Sequence, residues 1–434
     1  MASKVVVVHS GARDSYQVAR ALKESGRLDC LVTDLFWPSD APWAERAAGI
    51  LPSSIEQQLS ARSELALEKH DVRQCLAAGA LTLGLDKWKR APQAWKRSVM
   101  RWNDAKMGKT AGKLATSHGS ALLSYSYYGH SAFTHFEGER PGMLFQLHPH
   151  PASMRRILRA ELEKHPDCAT SLEQEWELAL PEADFRRLAA ETEMAGAWLA
   201  ASSFTKVTLA ENGIPAERIH VVPYGVNLEK FHPAAGRRVE NGPLRLLFVG
   251  RINQRKGVKY LLEALKRLPA KHVELTICGR VLDDLKIFEP FRSQITIRPS
   301  VSHAELVAAY QTADLFVFPS VAEGFAHVLL ESMACGLPVL STTATAAPDL
   351  VTEGVDGFVV EPGASDALVS RVEWALSHRG ELNGMREAAR RKAEQFTWAR
   401  FRQGVNDFVS AHCEPPAVLT AEEMEKEREL EPVR

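Results

Sequence analysis

The 434-residue sequence contains no run of about 18 apolar residues, the length that crosses a bilayer, so no spanning helix is expected. Its N-terminus, MASKVVVVHSG, offers four consecutive valines, too few for the apolar core of a signal peptide. Cysteine is sparse: Cys30, Cys75, Cys168, Cys278, Cys335 and Cys413 are scattered, with no C-x-x-C pair. That spacing argues against a disulfide frame or a zinc site and fits free thiols in a reducing compartment. Neither sign of charge dominates, with 53 basic and 54 acidic residues and a net charge of −1. A nucleic-acid partner is therefore not expected. G-x-G-x-x-G and G-x-S-x-G are also missing. What remains is 45% apolar and 25% charged, in a chain long enough for two or three large cores. The expectation is a cytoplasmic α/β enzyme.

The most informative stretch is Pro319 to Pro338, PSVAEGFAHVLLESMACGLP. It follows Ala313 to Phe318, an apolar run of the length of a buried parallel strand. Pro319 and Ser320 end that strand, and a helix is expected from near Phe325, with Val328, Leu329, Ser332 and Met333 on one face. Glu323 then lies in the loop at the strand's carboxyl end, and Glu331 lies two turns into the helix. In open α/β sheets that crevice takes the ligand. A helix N-terminus there suits a phosphate, and flanking carboxylates suit hydroxyls. A nucleotide sugar carries both.

Strand and helix patterns alternate along most of the chain. Lys4 to His9 reads as a first strand, delivering Gly11 into a loop before a helix over Tyr16 to Lys23. Cys30 to Phe36 is a second strand, and residues 40–115 read as mostly helical with no clear strand. Ala121 to Tyr127 and Met143 to Leu147 follow, the latter ending in His148-Pro149-His150-Pro151. Asp184 to Met194 is helical and Ala197 to Ser202 is a strand. A linker is expected over about 222–241, on its prolines and glycines. Leu244 to Val249 then leads into Gly250-Arg251-Ile252-Asn253-Gln254-Arg255-Lys256-Gly257 and a helix from Val258 to Leu268. Further strands are read at Val273 to Cys278, Ile295 to Ile297, Leu315 to Phe318, Val339 to Ser341 and Phe358 to Val360. Intervening helices make the sheet parallel, with right-handed crossovers. Phe396 to Val409 is a last amphipathic helix, and residues 414–434 form an acidic tail expected to be disordered.

Glu323-x7-Glu331, set in EGF…LLESMACGLPV, resembles the E-x7-E signature of retaining glycosyltransferases of family 4. The G-R-x(4)-K-G element at 250–257 and the run Ser202 to Val226, with Gly-Ile-Pro and a V-x-P-x-G-V turn, are similar to that family too. The resemblance covers residues 4–410, strongest from Ala183 onward. It implies the GT-B fold: two Rossmann-like, doubly wound parallel-sheet domains facing a cleft. Residues 1–226 would form the acceptor domain and 227–395 the nucleotide-sugar donor domain, with a crossover helix at 396–413.

The resemblance also implies roles. Arg251 and Lys256 would stabilise the leaving diphosphate of a nucleoside-diphosphate sugar, replacing a metal ion. Glu323 would stand near the donor sugar, Glu331 would bind the ribose, and His148, following its strand directly, would reach the donor sugar. Gly11, Gly250, Gly324, Phe325 and Ala326 would line the substrate site. The acceptor would be a carbohydrate or lipid-linked molecule, in polysaccharide biosynthesis, and no cofactor or metal is called for. D-x-D is missing, and Glu137-Gly138-Glu139 reads better as an acidic turn than as a metal pair. Met107-Gly108-Lys109-Thr110 looks like the end of a P-loop, but Asn103 stands where its first glycine belongs. The sequence departs from the family pattern at Ala326, where glycine is common, and at Ala344 to Asp349, where Gly-Gly-x-Pro-Glu is usual. A nucleotide-sugar epimerase and a non-catalytic sugar-nucleotide-binding protein are the rival readings.

Residues 86–113 differ in character, with nine lysines and arginines against Asp86 and Asp104. Trp88, Trp95 and Trp102 recur every seven residues, which keeps them on one helical face. Two readings stand side by side. The segment is a peripheral contact with an anionic membrane at its inner face, or its tryptophans pack on the core.

Overall fold

The computed structural model describes residues 3–38, 59–76, 92–139, 142–235, 242–282 and 284–413, together with residues 79, 81, 84 and 88. The acidic tail at 414–434, the linker at 236–241 and positions 86, 87 and 89–91 of the basic segment lie outside the described residues. By its internal contacts the chain forms two units, one of residues 1–124, 131–143 and 403–434, the other of 125–130 and 144–402.

Two parallel sheets carry the fold. The seven-stranded sheet runs β3-β2-β1-β4-β5-β6-β7 and the six-stranded sheet β10-β9-β8-β11-β12-β13. In the first, β1 is Val5–Val8, β2 Leu28–Thr33, β3 Val72–Gln74, β4 Ala121–Tyr125, β5 Gly142–Gln146, β6 Ala197–Ala200 and β7 Ile219–Val221. In the second, β8 is Leu244–Val249, β9 Val273–Cys278, β10 Ile295–Arg298, β11 Leu315–Phe318, β12 Val339–Thr342 and β13 Gly357–Val360. The continuous valines of β1 and the run LFVF of β11 are buried throughout, as strands covered on both faces must be. Strand order reverses at β1/β4 and again at β8/β11, so each sheet has a switch point at its centre.

Three expectations need correction. Residues 40–115 do contain a strand, β3, which pairs in parallel with β2 through Leu31 and Val72. Three residues at a sheet edge are too few for an alternation to show in sequence. The helix after β11 begins at His327, not Phe325, because Ala326 takes a left-handed backbone with φ 65°. Glu331 is therefore one turn into that helix. Third, Trp88 precedes the helix Gln93–His118, which starts behind Pro92, so the three tryptophans do not share one helix.

All six cysteines are buried, free thiols. No helix among the described residues is long and apolar enough to cross a membrane.

Candidate active site

The loop after β8 is built to hold its cations in place. Asn253 caps the tight turn Gln254–Lys256, accepting from the Lys256 N–H at 3.2 Å. Gly257 closes it at φ 74°, where any Cβ would overlap the Pro319 carbonyl. Only glycine meets both demands. The turn is thereby pressed against the end of β11, and Val321 N–H and the Ser320 hydroxyl both donate to the Arg255 carbonyl at 3.0 Å.

That contact brings the two motifs together. Lys256, buried, meets the Glu323 carboxylate, and Arg255 Nη1 reaches the same Glu323 Oε2 at 3.1 Å. Burial, then the charges of Arg255 and Arg251, press the Lys256 pKa downward, against the pull of the Glu175 charge. Arg251 stands in the same loop with its side chain exposed. On the far side Arg255 Nε lies 3.1 Å from Glu175 Oε2, and Asn253 Nδ2 donates to Glu175 Oε1 at 2.7 Å. Sequence reasoning missed Arg255 and Glu175. Arg255 stands at an unspecified position of the motif, and Glu175 lies 80 residues away with no spacing signal.

Glu331 is half-buried and set apart from this cluster by its own partner. The Tyr310 hydroxyl donates to Glu331 Oε2 at 3.0 Å. Burial pushes the Glu331 pKa up, and the Tyr310 bond pulls it back. Tyr310, from the helix His303–Thr312, was another residue the sequence did not signal.

Gly324 carries the loop up to the end of β5. A side chain there would overlap the Leu147 carbonyl and crowd His148 Cα. Its own carbonyl accepts from the Ser202 hydroxyl and from Thr205 Oγ1, the latter at 3.3 Å. His148 is thus beside the Glu323 loop, half-buried, with its ring 5.8 Å from that of Tyr127. His150 is different: buried, it caps the helix Pro151–Lys164 and contacts Thr192 Oγ1 at 3.0 Å, and burial takes its pKa down to about 4. Phe325 turns inward, ring to ring with Tyr224 at 5.2 Å. The departure at Ala344 to Asp349 becomes a turn leading into the short helix Ala347–Leu350, whose Asp349 Oδ2 accepts from the Ser203 N–H at 2.8 Å, at the first turn of the helix Ser203–Glu211.

In the first unit, Gly11 donates its N–H to Asp34 Oδ1 at 2.8 Å, and Arg62 holds both oxygens of Asp34 at 2.9 Å. The loop that follows is strained. Asp14, Ser15 and Tyr16 are consecutive non-glycine residues with φ of 45°, 51° and 60°. Beside it, burial and the charge of Asp34 push the Asp104 carboxyl up to about 7, against the pull of Arg13.

Gly108, of the P-loop-like tetrapeptide, sits mid-helix in Gln93–His118, not in a loop at a helix start. No group of three or more His, Cys, Asp or Glu side chains suited to a metal occurs among the described residues. Along that helix Asn103, Met107, Ala111 and Ala115 turn inward. Trp88, Trp95 and Trp102 are 51%, 60% and 49% exposed, so these rings do not form a core stripe. Trp88 and Trp95 meet edge to face at 6.4 Å, and Lys106 lies 5.0 Å from the Trp102 ring centre.

Residues 235–392 match the family of glycosyl transferases group 1. The chain is 30% identical over 206 residues to a sulfoquinovosyl transferase of Arabidopsis thaliana, covering 44% of this chain and 40% of that one. It is 31% identical over 206 residues to a D-inositol 3-phosphate glycosyltransferase of Paenarthrobacter aurescens, covering 43% and 50%. The chain thus spans about half the length of these curated relatives or less. Among solved structures it is similar to a sucrose-phosphate synthase of Thermosynechococcus elongatus, with TM-score 0.60, 17% identity, and 94% and 98% coverage. It is similar also to HepE of Anabaena, solved with UDP and glucose, with TM-score 0.58, 17% identity, and 94% and 100% coverage. At that identity the likeness fixes the fold.

Proposed function

We propose that this chain, which belongs to a GT-B glycosyltransferase family, moves a sugar with retention from a nucleoside-diphosphate sugar to a carbohydrate or lipid-linked acceptor, as enzymes of the family 4 type do. The observation that carries the reading is the meeting of Arg255 and Lys256 with Glu323, where the loops after β8 and β11 touch. Fixed cations there oppose the negative charge that the diphosphate gains as the anomeric C–O bond breaks, usually the largest catalytic contribution. Arg251 and Lys256 take that role, and Arg255 joins them. Arginine grips two phosphate oxygens, and lysine acts as a point charge. Glu323 faces the positive charge growing at the anomeric carbon, with His148 beside it. Glu331 accepts hydrogen bonds from the ribose hydroxyls. The acceptor oxygen bonds to the anomeric carbon on the face the diphosphate leaves, and its proton passes to the departing phosphate oxygen. The donor is held by residues of 227–395 and the acceptor by residues of 1–226, the Gly11 loop among them. No metal takes part in this scheme.

The setting is the cytoplasm, at the inner face of a membrane. Three exposed tryptophans beside Lys96, Arg97, Arg101, Lys106 and Lys109 favour peripheral contact with anionic lipid.

HepE is solved with UDP-glucose, so a donor screen begins there. Purified protein should release UDP, or another nucleoside diphosphate, from one nucleotide sugar of a panel, faster with a sugar acceptor present. The Arg251→Ala/Lys256→Ala double variant should lose that turnover. Full activity in the double variant removes the electrostatic scheme. Interconversion of donors without any acceptor would make the chain an epimerase.

A further inference from the structure

Five charged side chains converge on the loop after β8: Arg251, Arg255 and Lys256 from the loop itself, Glu323 from the loop after β11, and Glu175 from the start of the short helix Trp176–Ala179. The donor reading above already uses four. Glu175 has no place in it, yet its carboxylate accepts a hydrogen bond from Asn253 Nδ2 at 2.7 Å and forms an ion pair with Arg255, whose Nε lies 3.1 Å away without donating to it. Its side chain, like those of Arg255 and Glu323, is largely withdrawn from solvent, so these contacts are weakly screened. Glu177, two residues on, is also buried, and burial pushes its pKa up; its carbonyl, not its carboxyl, binds Arg155.

The charges decide what this arrangement does. With Glu175 and Glu323 ionised, three cations face two carboxylates, leaving a net charge of +1. A diphosphate brings at least two negative charges to the same cations. Two carboxylates and a diphosphate around three cations would leave the site net negative, which a shielded site disfavours.

Resting on the donor reading, we propose that Glu175 is a displaceable counter-ion: its carboxylate occupies Arg255 and Asn253 while the site is empty, yields them to the diphosphate, and reclaims them as the nucleoside diphosphate departs. The empty site thereby keeps Arg255 paired on both sides, which discriminates against free phosphate. The returning carboxylate competes with the product, which speeds its release. A residue that merely propped Arg255 in position would act in the opposite sense, because losing it would weaken the site.

Calorimetry and stopped-flow release on the whole chain separate the two. UDP, GDP, ADP, uridine and inorganic pyrophosphate are titrated into the wild type, Glu175→Gln and Glu175→Ala, with melting temperatures confirming the fold. The nucleoside diphosphate that binds the wild type should bind both variants about three- to tenfold tighter, the scale of one unit charge removed from a partly screened site. Pyrophosphate should tighten likewise, its dissociation should slow, and uridine should be unchanged. Unchanged or weaker diphosphate binding in folded Glu175→Gln overturns the counter-ion role and leaves the donor reading intact. Failure of every nucleoside diphosphate to bind the wild type overturns the donor reading and this inference with it.

Discussion

The Tyr310 hydroxyl and Glu331 Oε2 are joined by a 3.0 Å hydrogen bond, between a fully buried phenol and a half-buried carboxylate. Among the described residues the phenol meets no other acceptor, and its ring is fixed between Phe316 and Phe231, at 5.8 and 6.2 Å. Holding one oxygen of Glu331 sets the direction of the other. A carboxylate positioned in this way can meet a vicinal diol without first paying rotamer entropy.

Tyr310→Phe should therefore weaken nucleoside binding by roughly 0.5–1.5 kcal/mol, the net worth of one hydrogen bond, with turnover at saturation little changed. A pH profile gives a second readout. Burial raises the Glu331 pKa and the Tyr310 bond lowers it, so the variant's carboxylate protonates at a higher pH. Nucleoside affinity, which needs the ionised form, should fall on acidification in both proteins and begin to fall earlier in Tyr310→Phe. Superimposable profiles would show that Tyr310 does not tune Glu331.

Ala326 occupies a left-handed backbone, φ 65° and ψ 76°, at the cap of the helix His327–Ala334. An L side chain there costs roughly 1–2 kcal/mol that glycine avoids. Ala326→Gly should raise the melting temperature by a few degrees. A lower melting temperature would mean that the methyl group's packing outweighs its strain.

Asp104 has its pKa raised to about 7 in the folded chain, from near 3.9 in an unfolded one. A raised acid contributes stability that is fully present below the unfolded value and lost as pH rises through the folded one. Asp104→Asn should consequently raise the melting temperature more at pH 8 than at pH 5. Equal shifts at both values would place the carboxyl in a solvated environment.

Trp88, Trp95 and Trp102 are exposed next to a basic surface. Each lysine or arginine at an anionic lipid surface contributes roughly 1 kcal/mol, screened by salt. The protein should cosediment with vesicles containing phosphatidylserine, little with neutral ones, and be released at high salt. Changing Lys96, Arg97 and Arg101 together to Glu should abolish binding without unfolding the chain. Equal recovery with both vesicle types argues against the electrostatic reading.

The sequence shows most of the architecture, because buried parallel strands such as Val5–Val8 and Leu315–Phe318 announce themselves as short apolar runs between helices. It also shows the two motifs whose loops touch, since Gly257 and Gly324 are placed where a side chain would overlap the Pro319 and Leu147 carbonyls. What it hides is longer in range or conformational. Arg255, Glu175 and Tyr310 matter through contacts made across 21 to 80 residues, and no local pattern encodes these. The start of the helix at His327 depends on one alanine's backbone angle. The tryptophan spacing of seven promised a single helical face, and Pro92 cut the first ring from the helix.

The six buried cysteines leave the surface chemically silent toward thiol reagents. Burial pushes Cys30 up to about 11 and Cys335 up to about 12, so near neutral pH almost none of either is the reactive thiolate. One cysteine introduced at an exposed position, such as Trp95→Cys, would then take a maleimide dye over a dark native background. A fluorophore there reports by its emission colour whether that face has left water for lipid.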